Sequence, residues 1–115
     1  MYIYQATLVE VTDGDSVQLL VDFGFRISQH QRMRLAGIDA PETRTAAGKA
    51  ARAYLASIIP TGAFVIRTEK DRKEKFGRYL VHIVLPDGST VNEAMVAAGH
   101  ARPYDGGKRL PEVAP

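Results

Sequence analysis

The period-two pattern of the first 35 residues constrains this chain more than any other feature. Tyr2 to Val11 is rich in β-branched and aromatic residues, and Val17, Leu19 and Val21 alternate with Gln18 and Asp22. From Arg26 to Leu35 the alternation returns, with Arg26, Ser28, His30, Arg32 and Arg34 on one face and Ile27, Met33 and Leu35 on the other. Two short turns join these stretches: TDGDS at 12–16, and DFGF at 22–25 with Gly24 available for positive φ. Three antiparallel strands are expected, and the rest of the chain decides what they become.

After residue 45 the period changes. The alanine-rich segment TAAGKAARAYLASII places Ala47, Ala51, Tyr54, Leu55, Ile58 and Ile59 at helical spacing, and Pro60 and Gly62 end it. AFVIRTE at 63–69 reads as a fourth strand and EKDRKEKFG as a charged loop. Arg78 opens a fifth strand, in which Tyr79, Val81, Ile83 and Leu85 alternate with His82. Thr90 and Glu93 form a capping box for a short helix closed by Gly99. The order is strand, strand, strand, helix, strand, strand, helix. It predicts an α+β, mainly β domain: a five-stranded Greek-key barrel of the OB type with two helices. Residues 1–104 make up this domain, and 105–115, rich in proline and glycine, are expected to be an irregular tail.

The chain has 115 residues, enough for one domain with a modest core. Its net charge of +2 is too small to argue for nucleic acid by itself, although ten arginines against five lysines favour bidentate recognition of phosphate. There is no cysteine, which excludes disulfides, thiolate metal sites and cysteine nucleophiles. With no basic leader and no long apolar run, the expectation is a cytoplasmic protein away from membranes, a processed secreted form remaining compatible with the same sequence.

Two short stretches carry the chemistry. In RLAGIDAPETR, residues 34–44, Asp39 and Glu42 stand around Pro41 and between Arg34 and Arg44. Pro41 forces Ala40 into extended backbone, which turns its carbonyl outward. Asp39, that carbonyl and an aspartate of the DGD turn would make an all-oxygen cage of the kind Ca²⁺ accepts. The alternative is that Asp39 and Glu42 cap the following helix. Asp13 and Asp15 flank Gly14, and a lone DGD turn is commonly satisfied by its own backbone. Arg34 and Arg78 would add two guanidinium forks to a metal, the equipment for stabilising charge in phosphoryl transfer, and a nearby glutamate could orient or deprotonate water. The three histidines, His30, His82 and His100, are scattered over three elements and receive no chemistry.

VTDGDSV at 11–17, RLAGIDAPET at 34–43, EKFGR at 74–78 and DGSTVNEAMVAAGHAR at 87–102 resemble, in order, the motifs of the thermonuclease family, whose type member is staphylococcal nuclease. The resemblance implies an OB barrel carrying a Ca²⁺-dependent phosphodiesterase that cleaves DNA and RNA and leaves 3′-phosphate ends; a monomer without a membrane partner is the expectation beside it. By matching position, Asp15 and Asp39 would hold Ca²⁺ with the carbonyl of Ala40, and Asp13 would support them. Glu42 would activate water, and Arg34 and Arg78 would hold the phosphate. Tyr104 takes the place of a tyrosine that stacks on a nucleotide base; the loop EKDRKEKFGR, with Lys75, fits either a role in tracking the substrate backbone or a solvated charged loop. Phe76 replaces a tyrosine, and the family's third, C-terminal helix has no counterpart in YDGGKRLPEVAP. A non-catalytic OB module binding single strands is the competing expectation.

Overall fold

A computed structural model describes residues 2–70, 79–105 and 108–109. Five strands close into a barrel in the order β1–β2–β3–β6–β5, with β1 at Tyr2–Asp13, β2 at Ser16–Asp22, β3 at Ser28–Leu35, β5 at Phe64–Lys70 and β6 at Tyr79–Val84. All pairings are antiparallel except β3 with β6, which run parallel because helix α1 (Ala46–Ile58) and then β5, antiparallel to β6, come between them in the chain. The short helix α2 (Val91–Ala97) follows the barrel. This is the predicted mainly β, five-stranded barrel with two helices. Among the described residues no helix follows α2, and none is long and apolar enough to cross a membrane.

The alternation builds the core. Val17, Leu19 and Val21 of β2, Met33 and Leu35 of β3, Ile66 of β5 and Val81 and Ile83 of β6 all point inward and are buried. Ala51 and Leu55 of α1 and Val91 and Met95 of α2 pack onto this cluster. Ala47, expected on the inward face of α1, is exposed, and Gly48 is buried in its place. The capping box forms as predicted: Thr90 Oγ1 accepts from Glu93 N at 3.1 Å and donates to Glu93 Oε1 at 2.9 Å. Buried Asn92 locks α2 to the barrel, accepting from Ile83 N at 3.2 Å and donating to Ala36 O and Val81 O at 2.9 and 3.0 Å.

Three expectations need correction. The second turn is wider than DFGF: Gly24, Phe25 and Arg26 have φ of +80°, +55° and +61°, so β3 begins at Ser28 and Arg26 lies outside it. A two-residue strand, β4 (Ile38–Asp39), follows β3 and went unread. The strand β7 (Arg102–Asp105) closes the span expected for the domain, and β8 (Lys108–Arg109) falls in the stretch expected to be irregular. β7 pairs Ile38 with Pro103 and Asp39 with Arg102, and Tyr104 N donates to Gly37 O at 2.8 Å. A short two-partner ladder tolerates Pro103, which has no N–H to donate, and so escapes the usual sequence signals.

Candidate active site

The site sits where the β1–β2 turn, the end of β3, β4 and the start of α1 meet. Asp13 pairs with Ser16, which leaves Gly14 and Asp15 at the tip of a two-residue hairpin. Asp15 is 7% exposed. Its Oδ2 accepts from Ala40 N at 3.0 Å, and its Oδ1 accepts from Ser16 Oγ at 3.1 Å. Its own carbonyl accepts from Leu35 N at 2.7 Å. The DGD turn is thus bonded both to the end of β3 and to the PET turn. Gly14 permits the approach: a Cβ there would stand 2.7 Å from Ala51 Cβ and 2.8 Å from Ala40 Cβ.

Arg34 occupies the centre. It faces outward from β3 opposite Ser16, and its Nη2 lies 3.1 Å from Asp39 Oδ1 and 3.6 Å from Asp15 Oδ2. The same nitrogen donates to Ile38 O at 3.3 Å. The ring of Tyr104 lies against the guanidinium, its centroid 4.9 Å from Arg34 Cζ, a cation–π distance. Two carboxylates from distant segments therefore share one cationic centre, roofed by an aromatic ring.

The PET turn is held from beneath. Thr43 Oγ1 donates to Asp13 Oδ1, which ties this turn to the DGD turn a second time. Glu42 extends into solvent, where its carboxylate pairs with Arg44. Its carbonyl accepts from Thr45 N at 3.0 Å and Thr45 Oγ1 at 2.7 Å. Thr45 caps α1, its hydroxyl accepting from Gly48 N at 2.9 Å, and the first turn of the helix holds no acid. Neither Asp39 nor Glu42 caps the helix; that alternative falls.

Residues not singled out from the sequence complete the arrangement. A Cβ on Gly48 would lie 1.8 Å from Glu42 O, 2.3 Å from Glu42 C and 2.8 Å from Thr43 Cα. The helix therefore rests directly on the PET backbone. A glycine in the first helical turn costs about 1 kcal/mol relative to alanine, and that cost was the signal to look for a close approach. Gly48→Ala is expected to push the PET turn away from Arg34 and to destabilise by about 1–3 kcal/mol. A thermal melt reads the stability, and an unchanged midpoint would show that the helix accommodates the methyl group.

As a seat for a divalent ion, the site offers the right atoms. Asp15 and Asp39 converge closely enough to share one guanidinium nitrogen, so a hard cation could take the same position between them. Among the described residues no three His, Cys, Asp or Glu side chains gather. The protein's share would thus be two carboxylates and backbone oxygen, with water supplying the rest, a coordination that Ca²⁺ accepts. Arg78 and Lys75 lie outside the described residues. β6 begins at Tyr79, whose parallel partner is Met33, next to Arg34.

Comparison with known proteins bears on the family of the chain. The staphylococcal nuclease homologue family matches residues 32–112, which takes in Arg34, Asp39, Glu42 and Arg78 and leaves out the DGD turn. Protein ParB of Escherichia coli is 39% identical over 105 residues, covering 84% of this chain and 55% of that protein. An uncharacterized endonuclease of Escherichia coli O157:H7 is 34% identical over 98 residues, covering 85% and 60%. The micrococcal nuclease of Shigella flexneri is 32% identical over 109 residues, covering 88% and 59%. The chain thus spans between 55% and 60% of the length of these three relatives. With more than half of its residues matched, and the DGD turn bonded to the matched part through Asp15 and Ala40, the chain belongs to the staphylococcal nuclease homologue family.

Proposed function

We propose that this domain is a nuclease, an endonucleolytic phosphodiesterase that hydrolyses DNA and RNA with Ca²⁺ and works as a monomer. The convergence of Asp15 and Asp39 on Arg34 is the observation that carries this reading. Names given to two relatives, an endonuclease and a micrococcal nuclease, support it. Ca²⁺ held by Asp15, Asp39 and the carbonyl of Ala40 would neutralise phosphate charge and offset the repulsion between clustered carboxylates and an anionic substrate.

The remaining steps belong to the chain. Arg34, and Arg78 with it, bind the scissile phosphate through their forks and take up the charge that grows on its oxygens. Glu42, at the solvent edge of the PET turn, accepts the proton of a water that attacks phosphorus. The P–O5′ bond breaks, the 5′ oxygen takes a proton from solvent to leave as a hydroxyl, and the phosphate stays on the 3′ side. Arg34 must exchange part of its bonding to Asp39 for the substrate, and the face of Tyr104 keeps its guanidinium in place as it does so.

Digestion of denatured DNA by purified protein, with Ca²⁺ and with EDTA, tests the reading. Cleavage that EDTA abolishes is the expected result. Folded protein that binds the strand and cuts nothing with any divalent ion would make the domain a binding module instead.

A further inference from the structure

Arg34 is one of a row. On the outward face of β3, Arg32 and His30 follow it two and four residues back, opposite Gln18 and Leu20 of β2. Arg34 is spoken for by Asp39 and Asp15, but Arg32 and His30 are exposed, and neither side chain has an ion pair or hydrogen bond among the described residues. Alternate residues on a strand stand roughly 6.6 Å apart, a step that one nucleotide of an extended strand can span.

The surface beside this row is concave. Thr12, Asp13, Ser16, Gln18 and Arg32 line a hollow of about 290 Å³ beside the DGD turn. Its two ends differ in charge. Asp13, held by Thr43, stands at the end next to the active site, and Arg32 stands across from it on β3. An anion is repelled from the first end and drawn to the second. The middle, with the hydroxyl of Ser16 and the amide of Gln18, suits a neutral polar group such as a sugar. Gln18 is turned toward β1 by donating to Glu10 Oε2 at 3.3 Å.

We infer that this hollow is a subsite for the nucleotide next to the scissile phosphate. Arg32 holds that nucleotide's phosphate, and a single strand leaves Arg34 along the outer face of β2 and β3. The assignment rests on the reading that Arg34 binds the scissile phosphate. It makes the domain prefer substrates with more than one phosphate, and it gives the exposed Arg32 a binding task.

Two measurements test it. The first is binding of a fluorescent six-nucleotide thymidine strand in EDTA, by anisotropy, across a range of salt. A contact to one phosphate of a single strand contributes about 0.7 to the slope of log affinity against log salt, so Arg32→Ala should lower the slope by about that much. Arg26→Ala, at the far turn, should leave it at the wild-type value. The second is kcat/KM for the six-nucleotide strand relative to a dinucleotide, with Ca²⁺. Arg32→Ala should reduce that ratio about ten- to a hundredfold.

An unchanged slope and ratio in Arg32→Ala would overturn the subsite, and so would an equal loss in Arg26→Ala, which would mean diffuse attraction. Failure to bind the strand at all would overturn it too. If the wild-type protein binds but never cleaves, the nuclease reading fails, while the salt slope still decides the subsite. Arg32 is exposed and unbonded, so circular dichroism should report the same fold and melt for the variant.

Discussion

Replacing Arg34 with alanine is expected to lower turnover by about 10³–10⁵-fold, the range over which an arginine stabilises a phosphoryl transition state. The structure adds a second consequence. Arg34 is the shared cation of Asp15 and Asp39, both mostly buried, with side chains 10% and 21% exposed. Its removal leaves two converging carboxylates facing one another and the carbonyl of Ile38 without its donor. A lost hydrogen bond to a charged group costs about 1.5–3 kcal/mol, so the variant should melt below the wild type. A divalent cation offered to the emptied position should return more stability to the variant than it adds to the wild type, because it would replace the missing charge.

Three measurements separate these effects: turnover, a melt in EDTA and a melt in Ca²⁺. Arg34→Lys keeps the charge and loses the planar fork, so it should recover most of the stability and little of the rate. Turnover of Arg34→Ala within tenfold of wild type would remove Arg34 from the phosphate. A larger rate recovery than stability recovery in the lysine variant would show that charge, and not bidentate geometry, is what the reaction uses.

How much of this site the sequence displays depends on the range of each interaction. The barrel strands were legible because burial on one face imposes period two, as in Val17, Leu19 and Val21, α1 because of its helical spacing up to Pro60, and α2 because Thr90 and Gly99 mark its ends locally. β4 and β8 are two residues each, too short to carry a period, and β7 includes Pro103. The turn runs past its DFGF signal because Phe25 and Arg26 join Gly24 in left-handed backbone, a conformation bulky residues rarely adopt and no sequence signal marks.

The candidate residues came from four motifs, and periodicity alone could not bring them together. That Asp15 bonds the amide of Ala40, 25 positions away, is a property of the closed barrel. Arg34 as a bridge between two carboxylates, and Tyr104 as the surface behind it, follow from side-chain directions that spacing does not encode. Gly48 was hidden for the opposite reason: its signal is a missing side chain, and its cause, the carbonyl of Glu42, lies six residues back across a turn.

Glu42→Gln is the second large effect, an expected loss of about 10²–10⁴ in kcat if the carboxylate takes the proton from water. The substitution keeps shape and removes basicity. In the structure Glu42 is far from a buried base: its side chain is 69% exposed and pairs with Arg44, itself 83% exposed. An exposed ion pair contributes about 0–1 kcal/mol, so losing it should leave the melting temperature almost unchanged. The PET turn also stays, because its bonds to Thr45 come from the Glu42 backbone. A fall in rate without a fall in stability is therefore a clean report on the carboxylate. The variant's rate should also climb steeply as pH rises, since hydroxide in solution then does what the side chain did. Arg44→Ala provides the contrast: it frees Glu42 from its partner without touching Asp15, Asp39 or Arg34, and its rate should equal or exceed that of the wild type. A loss below tenfold in Glu42→Gln would leave the residue with its structural part alone, the carbonyl on which Thr45 and Gly48 rest, and would assign proton removal to bulk solvent.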